Sequence, residues 1–166
     1  MTRTNHNSEF LQFSRALIDC EATFDHLAPA APGTRCELPA GYRVFDKLRY
    51  PLTRLAGVDG YRLLFARALA IGRVRASGVS QLQLNALQVN PDGSLGGFSN
   101  DVLNNNGDRL PPDNNDAAVV LTAELLALLV AFVGDVFTLS LVRDVWPGFP
   151  VLETELWRKR NCDQPE

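Results

Sequence analysis

Apolar residues between positions 8 and 27 recur at alternating spacings of three and four, which predicts an amphipathic helix. Ser8 is a good N-cap and Glu9 suits the positive end of a helix, so we expect the helix to span 8–27. Such a stripe must pack on the rest of the chain or on another chain. The predicted interaction seam of this helix consists of Phe10, Phe13, Leu17 and Phe24.

A proline-rich strap follows at residues 28–40, where three prolines and a glycine interrupt the helical pattern. A segment of this composition is typical of a linker. It would let the first helix either fold back on the body of its own chain or swap onto a neighbouring copy.

The middle of the chain returns to helical periodicity over 41–50. Pro51 predicts a kink or restart, because proline removes a backbone donor and disfavours helix at the preceding residue. The stretch GVDG at 57–60 predicts a turn, with Asp59 as the N-cap of a strong helix over 61–77.

The period then changes from helical to alternating over residues 82–89. Pro91-Asp92-Gly93 predicts a turn, because proline presets one turn position and glycine accepts a positive φ. Together with a short run at 94–98 this predicts a β-hairpin. Residues 90–116 are rich in Asn and Asp, and this polar segment is a candidate for contact with a partner.

The most apolar stretch predicts a long core helix over 117–146. A membrane-spanning segment is not predicted, because its longest uncharged run, 125–134, is too short to cross a bilayer and Asp135 lies near the centre of the apolar stretch. The predicted fold is mainly α: a four- to five-helix bundle with one inserted β-hairpin at about residues 82–98. The length of 166 residues favours a single domain over 1–166.

The cysteine count and the N-terminus indicate the compartment. Three cysteines without a CxxC pair argue against a disulfide framework, and the first residues lack the apolar run of a secretory signal. We therefore expect a cytoplasmic protein.

The net charge of −3 conceals a basic middle, since residues 43–75 hold eight cations and only two acids. Arg62 and Arg73 are eleven residues apart, and so are Glu124 and Asp135. Each pair therefore falls on one face of a helix. We expect an ion-pair seam between the two helices, or a ligand site if the four charges surround a cavity. The third alternative is that the two acids mark the solvent-exposed edge of a buried helix.

Specific chemistry is not predicted. Only two histidines are present, His6 and His26, and neither has a second soft ligand nearby, so no metal site is expected. The sequence lacks P-loop, GxGxxG and GxSxG motifs, and no catalytic residue or cofactor is predicted. The acidic overall balance, with a pI near 5.4, argues against nucleic-acid binding.

These features favour a small non-enzymatic interaction or regulatory module, which acts through self-association as a homo-oligomer or through a protein partner. Two alternatives remain open. One is a small-ligand sensor with a pocket between apolar helices, and the other is an enzyme that uses dispersed acidic and arginine residues.

Overall fold

The computed structural model describes residues 3–27, 39–97 and 115–149, and the fold is mainly helical. The described part contains five helices and one short antiparallel hairpin, which confirms the predicted bundle with an inserted hairpin. In chain order the elements are α1 (Arg3–Leu27), α2 (Ala40–Arg75), α3 (Gly78–Ala86), β1 (Gln88–Val89), β2 (Leu95–Gly96), α4 (Asp116–Val133) and α5 (Asp135–Val145).

Helix α1 begins at Arg3, so the predicted start at Ser8 is wrong. Its buried face is also rotated from the predicted stripe towards Ser14, Ile18 and Glu21. Phe24, at the edge of that face, is 44% exposed. A hydrophobic pattern does not count polar residues at buried positions. The pattern therefore placed the buried face of α1 too far round the helix.

Helix α2 consists of two arms, 40–56 and 58–75, which meet at Gly57 with φ 76° and ψ 169°. A straight helix would hold Phe45 and Phe65 about 30 Å apart, yet their ring centroids lie 5.1 Å apart. The arms therefore fold back on each other. The break predicted at Pro51 is wrong: the helix continues through Pro51 and reverses at Gly57, because only glycine adopts this positive-φ conformation without strain.

The hairpin is shorter than predicted, because residues 78–86 form helix α3 instead of a strand. Of the alternating positions Leu82, Leu84 and Ala86, only Leu84 is buried, so burial does not follow the two-residue period of a strand. The turn is as expected: Gly93 has φ 82°, and its N–H donates a hydrogen bond to the carbonyl of Asn90. Strand pairing joins Gln88 to Gly96 and Val89 to Leu95.

The predicted single helix over 117–146 is broken into α4 and α5 at Gly134, which has φ 88° and ψ 166°. This conformation is almost the same as that of Gly57. Asp135 then begins α5 and accepts a hydrogen bond from the N–H of Val136 at 2.7 Å. A negative side chain in the first turn stabilises a helix, so Gly134 and Asp135 together end one helix and start the next.

Helices α1, α2 and α4 surround a shared core, and small residues let them approach closely. A Cβ added at Gly41 would lie 2.4 Å from the Cβ of Ala118, so α2 and α4 are in contact at their first turns. Ile18 of α1 also comes within 3.6 Å of that position. Most of the strap, most of the polar 90–116 segment and the tail from residue 150 onward lie outside the described residues.

Candidate functional site

The four charged residues of the predicted seam do not pair with one another in the described part of the chain. Arg62 pairs with Asp59 on its own helix at 3.7 Å. The guanidinium of Arg73 instead donates hydrogen bonds to the carbonyls of Leu84 and Leu87, at 3.0 and 2.6 Å. These carbonyls lie at the end of α3, where backbone acceptors lack helical partners. The hydrogen bonds from Arg73 therefore attach the end of α3 to α2.

Glu124 is the member of this set that forms an ion pair between the two helices, and its partner is Arg75. The Arg75 Nη1 lies 2.6 Å from Glu124 Oε1. The carboxylate side chain is only 6% exposed, whereas half of the arginine side chain is open to solvent. Arg73 and Arg75 point about 200° apart on a helix, so the choice between them depends on how α2 is rotated about its axis.

A second buried carboxylate, Glu21, was missed by the sequence reasoning. It accepts hydrogen bonds from Lys47 Nζ at 2.7 Å and from the indole Nε1 of Trp146 at 2.9 Å. The guanidinium of Arg43 lies 3.9 Å away. Glu21 therefore links α1 to α2 and to the end of α5. Buried acids are nearly always paired. The available signal in the sequence was an acid that continues an apolar stripe, because such an acid is expected to be buried and paired.

The predicted interaction seam lies mostly in the core of its own chain. Phe10, Phe13 and Leu17 are buried, and the ring of Phe13 meets that of Phe149 edge to face. These side chains are not open to a second chain in this arrangement. A candidate interaction surface therefore lies elsewhere on the molecule.

One such surface surrounds Gly134, and we call it the acidic corner. Phe132 is 65% exposed and Val136 is 77% exposed, and two further large apolar side chains beside them are also open to solvent. Asp135 is the only charged residue of this corner. Its carboxylate accepts a hydrogen bond from the neighbouring backbone N–H and has no cationic partner among the described residues. The acidic corner consists of Phe132, Val133, Asp135, Val136 and Phe137.

A second exposed surface surrounds Gly57, and we call it the basic corner. Leu55 and Val58 are 47% and 44% exposed. Arg54 lies over the ring of Tyr50 at 5.9 Å and has no ion pair among the described residues. The basic corner consists of Arg54, Leu55, Val58 and Arg62, and with the exposed carboxylate of Asp59 beside its two arginines it keeps one net positive charge.

An aromatic cleft of about 90 Å³ lies between the two arms of α2 and the hairpin turn. Tyr42, Phe45 and Tyr61 form its walls, and Arg49 lies at its rim. Arg49 makes two ion pairs of 3.8 Å, to Asp46 and to Asp92. The cleft does not include the predicted ligand residues Arg62, Arg73 or Asp135.

Burial raises the pKa of both cleft tyrosines, that of Tyr42 to about 12. A neutral phenol donates a hydrogen bond but is a poor base at neutral pH. Burial also raises the pKa of the Cys20 thiol, and the nearby Glu21 carboxylate adds to this effect. An activated cysteine has a lowered pKa, so Cys20 lacks the character of a nucleophile.

Within residues 3–27, 39–97 and 115–149 no group of three His, Cys, Asp or Glu side chains is placed to hold a metal ion. Helix α4 is long and apolar enough to cross a bilayer by length and composition, and 56% of it is buried inside the chain. Core helices of globular proteins meet the same criterion, so this is weak evidence for a span.

Comparison of the chain with protein-family models, curated proteins and solved structures found no match.

Proposed function

We propose that this protein is a small helical interaction module that self-associates through the acidic corner. The observation that carries the proposal is the exposure of four large apolar side chains within six positions around Gly134. Exposed apolar clusters of this kind mark contact surfaces, because leaving them in water costs free energy that association recovers.

The position of these side chains supports a contact surface more than a defect of packing. Gly134 joins two helices with nearly the dihedral angles of Gly57, at which the arms of α2 fold back. The apolar side chains before and after Gly134 therefore belong to one corner of the chain. The core beneath is filled by other residues of the two helices, with Leu129 and Leu141 buried. The acidic corner is therefore not needed to complete the core of its own chain.

Sedimentation equilibrium over a range of concentrations tests this function. The wild-type chain should show a mass that rises with concentration, and the double variant Phe132→Ser with Val136→Ser should remain monomeric. Val74→Ser is the matched control, since Val74 is 85% exposed on the second arm of α2, outside both corners. A wild-type chain that stays monomeric throughout, or variants that associate like the wild type, would contradict the proposal.

The aromatic cleft supports a second candidate function, the binding of a small apolar carboxylate as a sensor. Within the described part of the chain Arg49 is held only by its two 3.8 Å ion pairs, to Asp46 and Asp92, so it can exchange one of these carboxylates for that of a ligand. The volume holds roughly three water-sized groups, about the size of a propyl chain, which suits butyrate with its carboxylate at Arg49. NMR titration should show shifts at cleft residues with butyrate and much weaker ones with butylammonium, and Arg49→Gln should abolish them. Equal shifts in Arg49→Gln would rule this function out.

A further inference from the structure

The two corners share one backbone geometry and carry opposite charge. Both project where a glycine with φ near +80° reverses a helix: Gly57 in the basic corner and Gly134 in the acidic corner. At each corner, exposed apolar side chains flank a charge without an ion-pair partner among the described residues, Arg54 in one and Asp135 in the other. The surfaces therefore match in both polarity and charge.

We propose that the acidic corner of one copy binds the basic corner of a second copy, so that the protein associates head to tail. In this contact Phe132 and Val136 cover Leu55 and Val58, and Asp135 pairs with Arg54. The inference rests on the proposed function and names the partner surface, which the proposed function leaves open.

A symmetric contact between two acidic corners is less favourable for a physical reason. A two-fold axis brings the same surface of each copy together. The Asp135 carboxylate of one copy would therefore face the Asp135 carboxylate of the other across an apolar contact. Like charges repel, and moving an unpaired carboxylate out of water is costly. The basic corner supplies the missing cation instead.

Arg62 strengthens the cationic character of the basic corner. Its ion pair with Asp59 is 3.7 Å long, and the Asp59 side chain is 87% exposed. Exposed pairs of this kind contribute little, because water and salt screen them. Arg62 can therefore turn from Asp59 towards Asp135 of the second copy, beside Arg54, at small cost.

Two different surfaces in contact have a consequence for the size of the assembly. A head-to-tail dimer still has one free corner of each kind, one on each copy, so association continues into longer chains or closes into a ring. The corners are small compared with the roughly 1,200–2,000 Å² that stable complexes bury. We therefore expect weak association that rises with concentration and falls with added sodium chloride.

Complementation between two single-corner variants tests the proposal. One variant has a disabled acidic corner, Phe132→Ser with Val136→Ser, and the other a disabled basic corner, Leu55→Ser with Val58→Ser. Each alone should be monomeric by sedimentation equilibrium. Their equimolar mixture should form a dimer and no larger species, because one intact corner of each kind remains. Circular dichroism verifies that both variants keep the helical content of the wild type.

A charge exchange provides the second measurement. Asp135→Lys alone and Arg54→Glu alone should each weaken association at least tenfold, whereas both changes in one chain should restore it. Arg67→Glu is the control, because Arg67 is exposed on the second arm outside both corners and should leave association unchanged.

Each result has a definite meaning. If the variant with the disabled basic corner still dimerises while the variant with the disabled acidic corner does not, the proposed function stands and the head-to-tail contact is wrong. Failure of the mixture to associate, or of the double charge exchange to restore association, also overturns the head-to-tail contact. If the wild-type chain never associates, both proposals fail together.

Discussion

The indole N–H of Trp146 donates a 2.9 Å hydrogen bond to the carboxylate of Glu21, across 125 positions of sequence. Trp146 is 1% exposed and Glu21 is 4% exposed, so the buried indole N–H depends on this carboxylate for its acceptor. The bond joins the first helix to the residue that ends α5. It holds the two distant parts of the described chain together.

Replacing Glu21 with alanine should lower the free energy of unfolding by roughly 1–3 kcal/mol, because the buried indole N–H loses its acceptor. Urea denaturation followed by tryptophan fluorescence measures the change. Asp19→Ala is the control, since Asp19 lies exposed on the same helix and should change stability by less than about 0.5 kcal/mol. Equal losses in the two variants would show that the Glu21 contacts contribute nothing.

Two glycines of α2 should respond to alanine in opposite directions. At Gly41 an added Cβ would lie 2.4 Å from Ala118 Cβ, so Gly41→Ala should destabilise the protein by forcing α2 and α4 apart. At Gly72 the nearest atoms are 3.5 Å and 3.8 Å away, so Gly72→Ala should be neutral or stabilising by up to about 1 kcal/mol. Thermal denaturation measures both changes.

A compensating change provides the check on this explanation. Adding Ala118→Gly to Gly41→Ala removes the clashing methyl group and should recover part of the lost stability. If it recovers nothing, the steric account of Gly41 is incorrect.

Buried hydroxyl groups with and without partners should also differ. Ser14 is fully buried and its Oγ has no hydrogen-bond partner within the described residues, so Ser14→Ala should raise the free energy of unfolding by about 1 kcal/mol. The hydroxyl of Thr138, in contrast, donates to the carbonyl of Gly134 at 2.7 Å. Thr138→Val should therefore lower stability. Chemical denaturation distinguishes the two, and a destabilised Ser14→Ala variant would mean that its hydroxyl is satisfied in solution.

The two tyrosines of the cleft predict a loss of stability at high pH. Burial raises the pKa of Tyr42 to about 12 in the folded chain, whereas an unfolded tyrosine titrates near about 10. Between these values the folded state holds more protons, so the free energy of unfolding falls as pH rises, by up to about 1.4 kcal/mol per pH unit for this residue. Below about pH 10 this contribution is fully present.

Denaturation of the wild type and of Tyr42→Phe at several values between pH 9 and pH 12 measures this dependence. The variant should lose stability less steeply with rising pH, although Tyr61, whose pKa burial also raises, keeps part of the slope. Parallel curves for the two proteins would contradict the expectation.

Local signals in the sequence identified several elements correctly. The spacing of Phe10, Phe13 and Leu17 predicted both the helix and part of its buried face, and all three side chains are buried. Pro91-Asp92-Gly93 predicted the hairpin turn, because the conformation of a turn depends on the residues within it. Gly134-Asp135 is a local signal of the same kind. There a positive-φ glycine ends one helix and a first-turn acid begins another, although the predicted helix ran through both residues.

The interactions between helices were harder to predict. The pairing of Glu124 with Arg75 instead of Arg73 depends on the rotation of α2 about its axis. That rotation is set by the packing of many side chains along the whole helix. For the same reason Glu21 was not recognised as the partner of Trp146.

The amino-acid sequence by itself determined that this protein is a helical bundle with a glycine turn in its hairpin, because helical periodicity and turn chemistry act over a few neighbouring residues. Only the tertiary structure decided that Phe10 lies inside the core while Phe132 lies at an exposed corner. Both are phenylalanines in apolar helical patterns. Their different exposure follows from which other helices cover them, and that depends on contacts between residues far apart in the chain.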